Sequence, residues 1–291
     1  MKNRIIIISG ITLLFIISLV VQFCTSPTEV TKVHSNTFPS KIQEDTTAMY
    51  NFQQSVPQAM KKIDSGYYIP TFTADSSLVK VQEFYMDIFP VQQKQFEIFV
   101  KYFYNWRRSH IKKIFADGNY LQNWMNDTSS LDSAMLHYPV TNISWFAAKA
   151  YCKCLGKRLP TTEEWEYAGN ADNRYADARK LESFNQFILM QYERQNSYNN
   201  PVGSSYENYW GVYDMHALVW EWTADFNSVM ITGESRKDGS IDNKLFCGGG
   251  SLGAKDLMNY AAFMRYAFRG SLKANYCIQN LGFRCVKDKI N

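Results

Sequence analysis

The segment Cys247 to Gly253, CGGGSLG, contains the pattern G-x-S-x-G around Ser251. That spacing raises a serine nucleophile on a sharp turn between a strand and a helix. Lys244 to Cys247 reads as the strand and Ala254 to Tyr260 as the helix. Activation then requires an Asp or Glu and, after it, a His later in the chain. The four histidines are His34, His110, His137 and His216, all before Ser251, so no Ser-Asp-His order can be built on Ser251. A second chemistry is offered by Glu163, Glu164 and Glu166, three carboxylates suited in type to acid–base work. Helix caps and solvated helix faces account for such residues more often than catalysis does. Cys152-Lys-Cys154 has the look of a metal motif, but residues two apart do not face together on a helix. Four convergent zinc ligands cannot be named.

These residues need elements to position them. Ser144 caps a helix in which Trp145, Ala148, Cys152 and Leu155 share a face, ended by Gly156. Pro160 precedes a second helix, where Thr161 and Glu164 form a capping box. That gives Glu164 a structural role. Upstream, YYIPTF from Tyr67 and LVKVQEFYMDIFPV from Leu78 carry β-branched and aromatic strand signals. After Pro90 the period changes: Phe96, Phe99, Val100 and Phe103 fall at helical spacing, predicting a helix from Val91 to about Trp106 with its aromatic stripe in the core.

The 291 residues are 46% hydrophobic and 15% aromatic, enough for one large domain or two small ones. A formal charge of +4 includes Lys2 and Arg4 of the N-terminal leader. No nucleic-acid footprint follows from it: Arg107-Arg108 and Lys112-Lys113 read as a solvated helix face. Lys2 and Arg4 precede the uncharged run Ile5 to Phe23, an export signal or membrane anchor over residues 1–23. Cys24 stands where a lipoprotein would be cleaved and acylated and is a candidate for lipidation, although the bulky Phe23 before it departs from the usual small residue. Residues 24–66 are polar and without sustained apolar period, which predicts a flexible tether. The folded domain is expected over residues 67–291, outside the cytoplasm.

Between Phe84 and Val286 the chain carries, in order, FYMDIFPVQQKQFEIFV, PVTNISWFAAKAYCKCLGKRLPTTEEWEYA, NPVGSSYENYWGVYDMHALVWEWTAD, CGGGS and NLGFRC. Through these segments it resembles the formylglycine-generating enzyme, or sulfatase-modifying factor, family. The resemblance implies an irregular, loop-rich α+β domain related to the C-type lectin fold, with a structural disulfide between Cys152 and Cys285. An exported chain permits that bridge. A bridge between Cys247 and Cys277 stays open, and Cys154 has no partner assigned.

In the formylglycine-generating members, two cysteines just after G-G-S bind copper(I) and attack the substrate cysteine, a task suited to soft thiolates. Here that stretch reads GGSLGAKDLMNYAAFMRYAFRG, with no cysteine between Cys247 and Cys277. Copper and formylglycine-generating activity are therefore not expected, and no catalytic residue is assigned. Lys255, Asp256, Tyr260 and Arg265 lie in the corresponding stretch and are read as surface or structural residues; an oxidoreductase using such a replacement set is the alternative. Leu218 stands where relatives carry an oxygen-bearing side chain before W-E-W, which weakens the case for calcium. The P-W-G stretch usual after the second helix is also replaced, by NRYADARKLESFNQ. Four scattered histidines cannot supply the iron triad of the sulfoxide-synthase branch. The resemblance implies a membrane-anchored binding or scaffold domain whose partner is another envelope protein. By analogy with bacterial lipoproteins carrying this domain, a gliding-motility or type IX secretion assembly is the expected setting.

Overall fold

The computed structural model describes residues 46–57, 59–70, 78–130, 133–227 and 257–289. In chain order the elements are α1 (Thr46–Ser55), β1 (Met60–Ile63), β2 (Gly66–Tyr68), β3 (Val79–Val81), β4 (Phe84–Asp87), α2 (Gln93–Tyr102) and α3 (Trp145–Cys154). They continue as α4 (Thr162–Gly169), α5 (Glu182–Glu193), β5 (Trp220–Glu221), α6 (Leu257–Ser271), β6 (Leu281–Gly282) and β7 (Val286–Asp288). Short elements joined by long connections make the mixed, loop-rich α+β architecture expected of the C-type-lectin-like fold.

Local signals act where the chain places them. Ser144 Oγ accepts from the Ala147 N–H at 3.2 Å, capping α3. Gly156 follows the last turn at φ +66°, a left-handed position that favours glycine. At α4, the Glu164 N–H donates to Thr161 Oγ1 at 3.1 Å and the Thr161 N–H donates to Glu164 Oε2 at 2.9 Å. In α2, Phe96, Phe99 and Val100 are fully buried. The helix stops at Tyr102 and tightens into a 3-10 turn over Tyr104–Trp106, four residues short of the predicted end.

Residues 46–55 and 60–63, assigned to the tether by the sequence reading, form α1 and the paired strand β1. Phe52 of α1 is fully buried, its ring 5.6 Å from Phe99 and 5.5 Å from Tyr151. β1 pairs antiparallel with β4, Met60 opposite Asp87 and Ile63 opposite Phe84. With Phe52 as its one buried residue, the helix leaves no amphipathic period to read. The helix is held by tertiary packing instead.

The three-stranded antiparallel sheet runs β1-β4-β7 and brings the two ends of the domain together. A second strand pair is parallel, with Trp220 of β5 beside Leu281 of β6. Gly282 of β6 lies so close to the Val140 carbonyl that a Cβ there would sit 2.7 Å from its oxygen. A disulfide joins Cys152 of α3 to Cys285. Next to it, Lys157 Nζ pairs with Asp87 Oδ1 at 2.6 Å, and Asp87 Oδ2 accepts from the Cys285 N–H at 3.0 Å. Arg107 and Arg108 lie off the helix they were assigned to. Arg108 Nη1 donates to the carbonyls of Leu121 and Trp124 at 3.1 and 3.0 Å, fastening the following loop.

Candidate functional site

α4 carries Trp165 and Glu166 into the interior, and α6 presents Arg265 and Arg269 one turn apart on one face. All four side chains are buried. Glu166 Oε1 accepts from Arg265 Nε at 2.9 Å and Arg269 Nη1 at 2.6 Å; its Oε2 accepts from Arg265 Nη2 at 2.7 Å. Burial by itself would raise the Glu166 carboxyl, but the two guanidiniums prevail and hold it at about 2. Arg269 also lies over the Trp165 ring, 4.8 Å from its centroid.

The cluster extends through polar contacts. Arg265 Nη1 donates to the Tyr192 hydroxyl of α5 at 3.3 Å, and that hydroxyl lies 3.0 Å from His216 Nδ1. The other ring nitrogen of His216, Nε2, sits 2.6 Å from the Gly169 carbonyl, which can only accept, so Nε2 carries the proton. Nδ1 is then left as the acceptor for Tyr192. A second proton on His216 would lose that bond and sit beside Arg265; burial first, and then Arg265, push its pKa down to about 3.

A neighbouring pair uses the W-E-W segment. Glu221 Oε2 accepts from Trp165 Nε1 at 2.7 Å, and Glu221 Oε1 accepts from Arg284 Nε and Nη2 at 3.0 and 2.8 Å. Both side chains are fully buried. Glu221 and Arg284 thus tie the W-E-W and G-F-R-C segments together. Beside the two clusters lies a cavity of about 60 Å³, lined among others by Tyr192, His216, Leu218, Trp220, Phe268 and Arg269. Drug-sized ligands occupy clefts of roughly 300–1,000 Å³, so this space admits only a small group.

Acid should weaken this arrangement in a defined order. The unfolded chain protonates His216 near pH 6.5 and the folded protein only near 3. The contribution of His216 is therefore complete above pH 6.5 and is lost as pH falls below it, at about 1.4 kcal/mol per pH unit. Glu166 adds a further loss between its unfolded value of 4.5 and about 2. Urea midpoints measured at pH 7.5, 6 and 5 should fall steadily, and His216→Gln should flatten that slope. A midpoint unchanged across this interval would contradict the assignment.

The sequence-derived candidates are distributed differently. Cys24, Cys247, Ser251, Lys255 and Asp256 lie outside the described residues. Tyr260 is 41% exposed. Glu163 is exposed at the first turn of α4, whereas Glu164 serves the cap and pairs with Arg158 at 2.6 Å. Glu166 is neither a cap nor a solvated residue but the centre of a buried ion cluster. Arg265 is structural, with its donors committed to Glu166 and Tyr192. Arg269, His216 and the Glu221–Arg284 pair escaped the sequence reading; two arginines four apart in an aromatic helix were the available signal. Cys277 is buried, and burial pushes its thiol up, away from the reactive thiolate form.

The sequence between Cys247 and Cys277 holds no thiol, the ligand type that suits copper(I). Among the described residues, no group of three His, Cys, Asp or Glu side chains could hold a metal ion. Leu218 occupies a left-handed position at φ +59°. Its hydrocarbon side chain offers no oxygen to a cation.

Residues 47–289 match the family described as the sulfatase-modifying factor enzyme 1-like domain. The formylglycine-generating enzyme of Mus musculus is 32% identical over 188 residues, covering 58% of this chain and 50% of the relative. The inactive C-alpha-formylglycine-generating enzyme 2 of Bos taurus is 37% identical over 101 residues, 31% of this chain and 33% of that protein. Among solved structures, PvdO from Pseudomonas aeruginosa aligns with 79% of this chain and 94% of its own, at 18% identity and a TM-score of 0.44. The chain spans about half the length of the mouse relative.

Proposed function

We propose that this chain, which belongs to the sulfatase-modifying factor enzyme 1-like family, works as a binding or scaffold domain and not as a formylglycine-generating catalyst. The carrying observation is the stretch after G-G-S, which has no cysteine before Cys277. Copper(I) chemistry on a substrate thiol needs soft thiolate ligands and an attacking thiolate, and neither is supplied there. Part of that stretch forms α6, whose Arg265 and Arg269 are bound to Glu166. Similarity to a bovine protein named as inactive supports the same reading.

The apolar run Ile5 to Phe23, with Cys24 after it, supports a membrane anchor, through a spanning helix or an acylated cysteine. The domain then lies outside the cytoplasm, where its partner is another envelope protein, in an assembly of the gliding-motility or type IX secretion type. The oxidoreductase alternative gains no support from Tyr260, which is exposed, or from Arg265, which is committed to an ion cluster.

Two measurements on the full-length, membrane-extracted protein test this reading. Incubated with copper(I) and a cysteine-containing sulfatase-type peptide, it should form no formylglycine above a no-protein control; product above that level defeats the proposal. Affinity capture after crosslinking in intact cells should recover an envelope protein that is lost on deletion of residues 46–291. Recovery unaffected by that deletion would remove the binding role from the domain.

A further inference from the structure

We propose that the cavity beside α6 binds a carboxylate, with Arg269 as its counter-cation. Arg269 is 4% exposed, yet among the described residues only Nη1 has an acceptor, Glu166 Oε1 at 2.6 Å. Nε and Nη2 remain as donors on a side chain that lines the cavity. Glu166, Arg265 and Arg269 together carry one more positive than negative charge. The adjoining Glu221–Arg284 pair is neutral, and Asp214, which accepts from the N–H groups of Gly203 and Ser205 at 2.6 and 3.0 Å, is not among the residues lining the cavity. A monoanion balances that excess.

Shape and lining favour a carboxylate over a more hydrated anion. Trp220 packs between Phe268 and Tyr192, ring centroids 4.6 and 4.7 Å apart, and forms a stiff aromatic wall. Asn280 also lines the space, with no side-chain partner among the described residues, and adds an amide donor. A planar carboxylate matches the guanidinium fork, and its carbon chain lies against the rings. The volume of about 60 Å³ is less than half of the roughly 150 Å³ that admits benzene. It therefore takes a headgroup and one or two carbons; anything longer leaves toward Arg194, the exposed member of the lining. A free short-chain acid and the C-terminal carboxylate of a polypeptide share this chemistry. The site stands whether or not the domain docks on an envelope protein.

Calorimetric titration of the full-length, detergent-solubilised protein tests it, with sodium acetate, a short peptide with a free C-terminus, the same peptide amidated, and sodium chloride at matched ionic strength. Saturable binding of acetate or of the free-carboxylate peptide, with none of the amidated peptide or chloride, is expected; which of the two binds identifies the source. Arg269→Gln should weaken binding about tenfold or more, the loss of a charge-assisted hydrogen bond. Asn280→Ala, which leaves the ion cluster intact, should weaken it less and keeps the test open if Arg269→Gln fails to fold. Neither carboxylate binding above chloride, or unchanged affinity in both variants, overturns the proposal.

Discussion

Replacing Arg265 with Leu is expected to destabilise the domain by about 3–5 kcal/mol, the cost of removing one member of a buried ion cluster. Glu166 is 3% exposed and accepts three of its bonds from Arg265. Without that partner it keeps only Arg269, and the Tyr192 hydroxyl loses a donor. At roughly 2–4 °C per kcal/mol for a domain of this size, the melting temperature should fall by about 6–20 °C. Glu166→Gln should be at least as damaging, since it leaves two guanidiniums together without an anion. A triple variant, Glu166→Leu with Arg265→Met and Arg269→Met, should recover much of the loss, because no charge is then left buried without a partner. Urea unfolding of the four proteins distinguishes these outcomes. A loss below about 1 kcal/mol in both single variants would show that water, and not the protein, solvates this cluster.

Opening the Cys152–Cys285 disulfide should cost a comparable amount, about 2–5 kcal/mol. The two cysteines are 133 residues apart in sequence, so the bridge removes a large loop-closure entropy from the unfolded chain. It holds α3 to the segment entering β7, next to the buried Lys157–Asp87 pair. Loosening that junction therefore exposes an ion pair as well as apolar surface. Cys152→Ala with Cys285→Ala, compared with the oxidised protein in thermal and urea unfolding, should show both midpoints lowered. Both cysteines are fully buried, so reductant should act only after the domain opens, and slowly. Coincident unfolding curves for the oxidised and double-alanine proteins would rule out a stabilising role for the bridge.

Features decided within a few residues were legible without coordinates. The Ser144 cap, the Thr161–Glu164 capping box and the buried Phe96, Phe99 and Val100 stripe each depend on neighbours within one helical turn, so residue type and spacing are enough to read them. The ordered motifs from FYMDIFPV to NLGFRC carried the family and hence the loop-rich α+β fold. The missing cysteines after G-G-S were equally plain. α1 was not legible, because Phe52 does its work against Phe99 and Tyr151, partners dozens of residues away that a local window cannot contain.

The same distinction separates the chemistry from its setting. Sequence alone determined which reactive groups are present: no thiol pair follows G-G-S, no histidine follows Ser251, and an apolar run opens the chain. Those are facts of composition and order, and no folding can add a missing ligand. What the groups present would do was decided only by tertiary structure. Glu163, Glu164 and Glu166 are near neighbours of one chemical kind, yet the first is exposed, the second caps a helix and the third is held at about 2 between two arginines. Arg265 and Arg269 reach Glu166 from about a hundred residues away. A charge takes its meaning from the dielectric and the partners around it, and those exist only once distant segments have packed together.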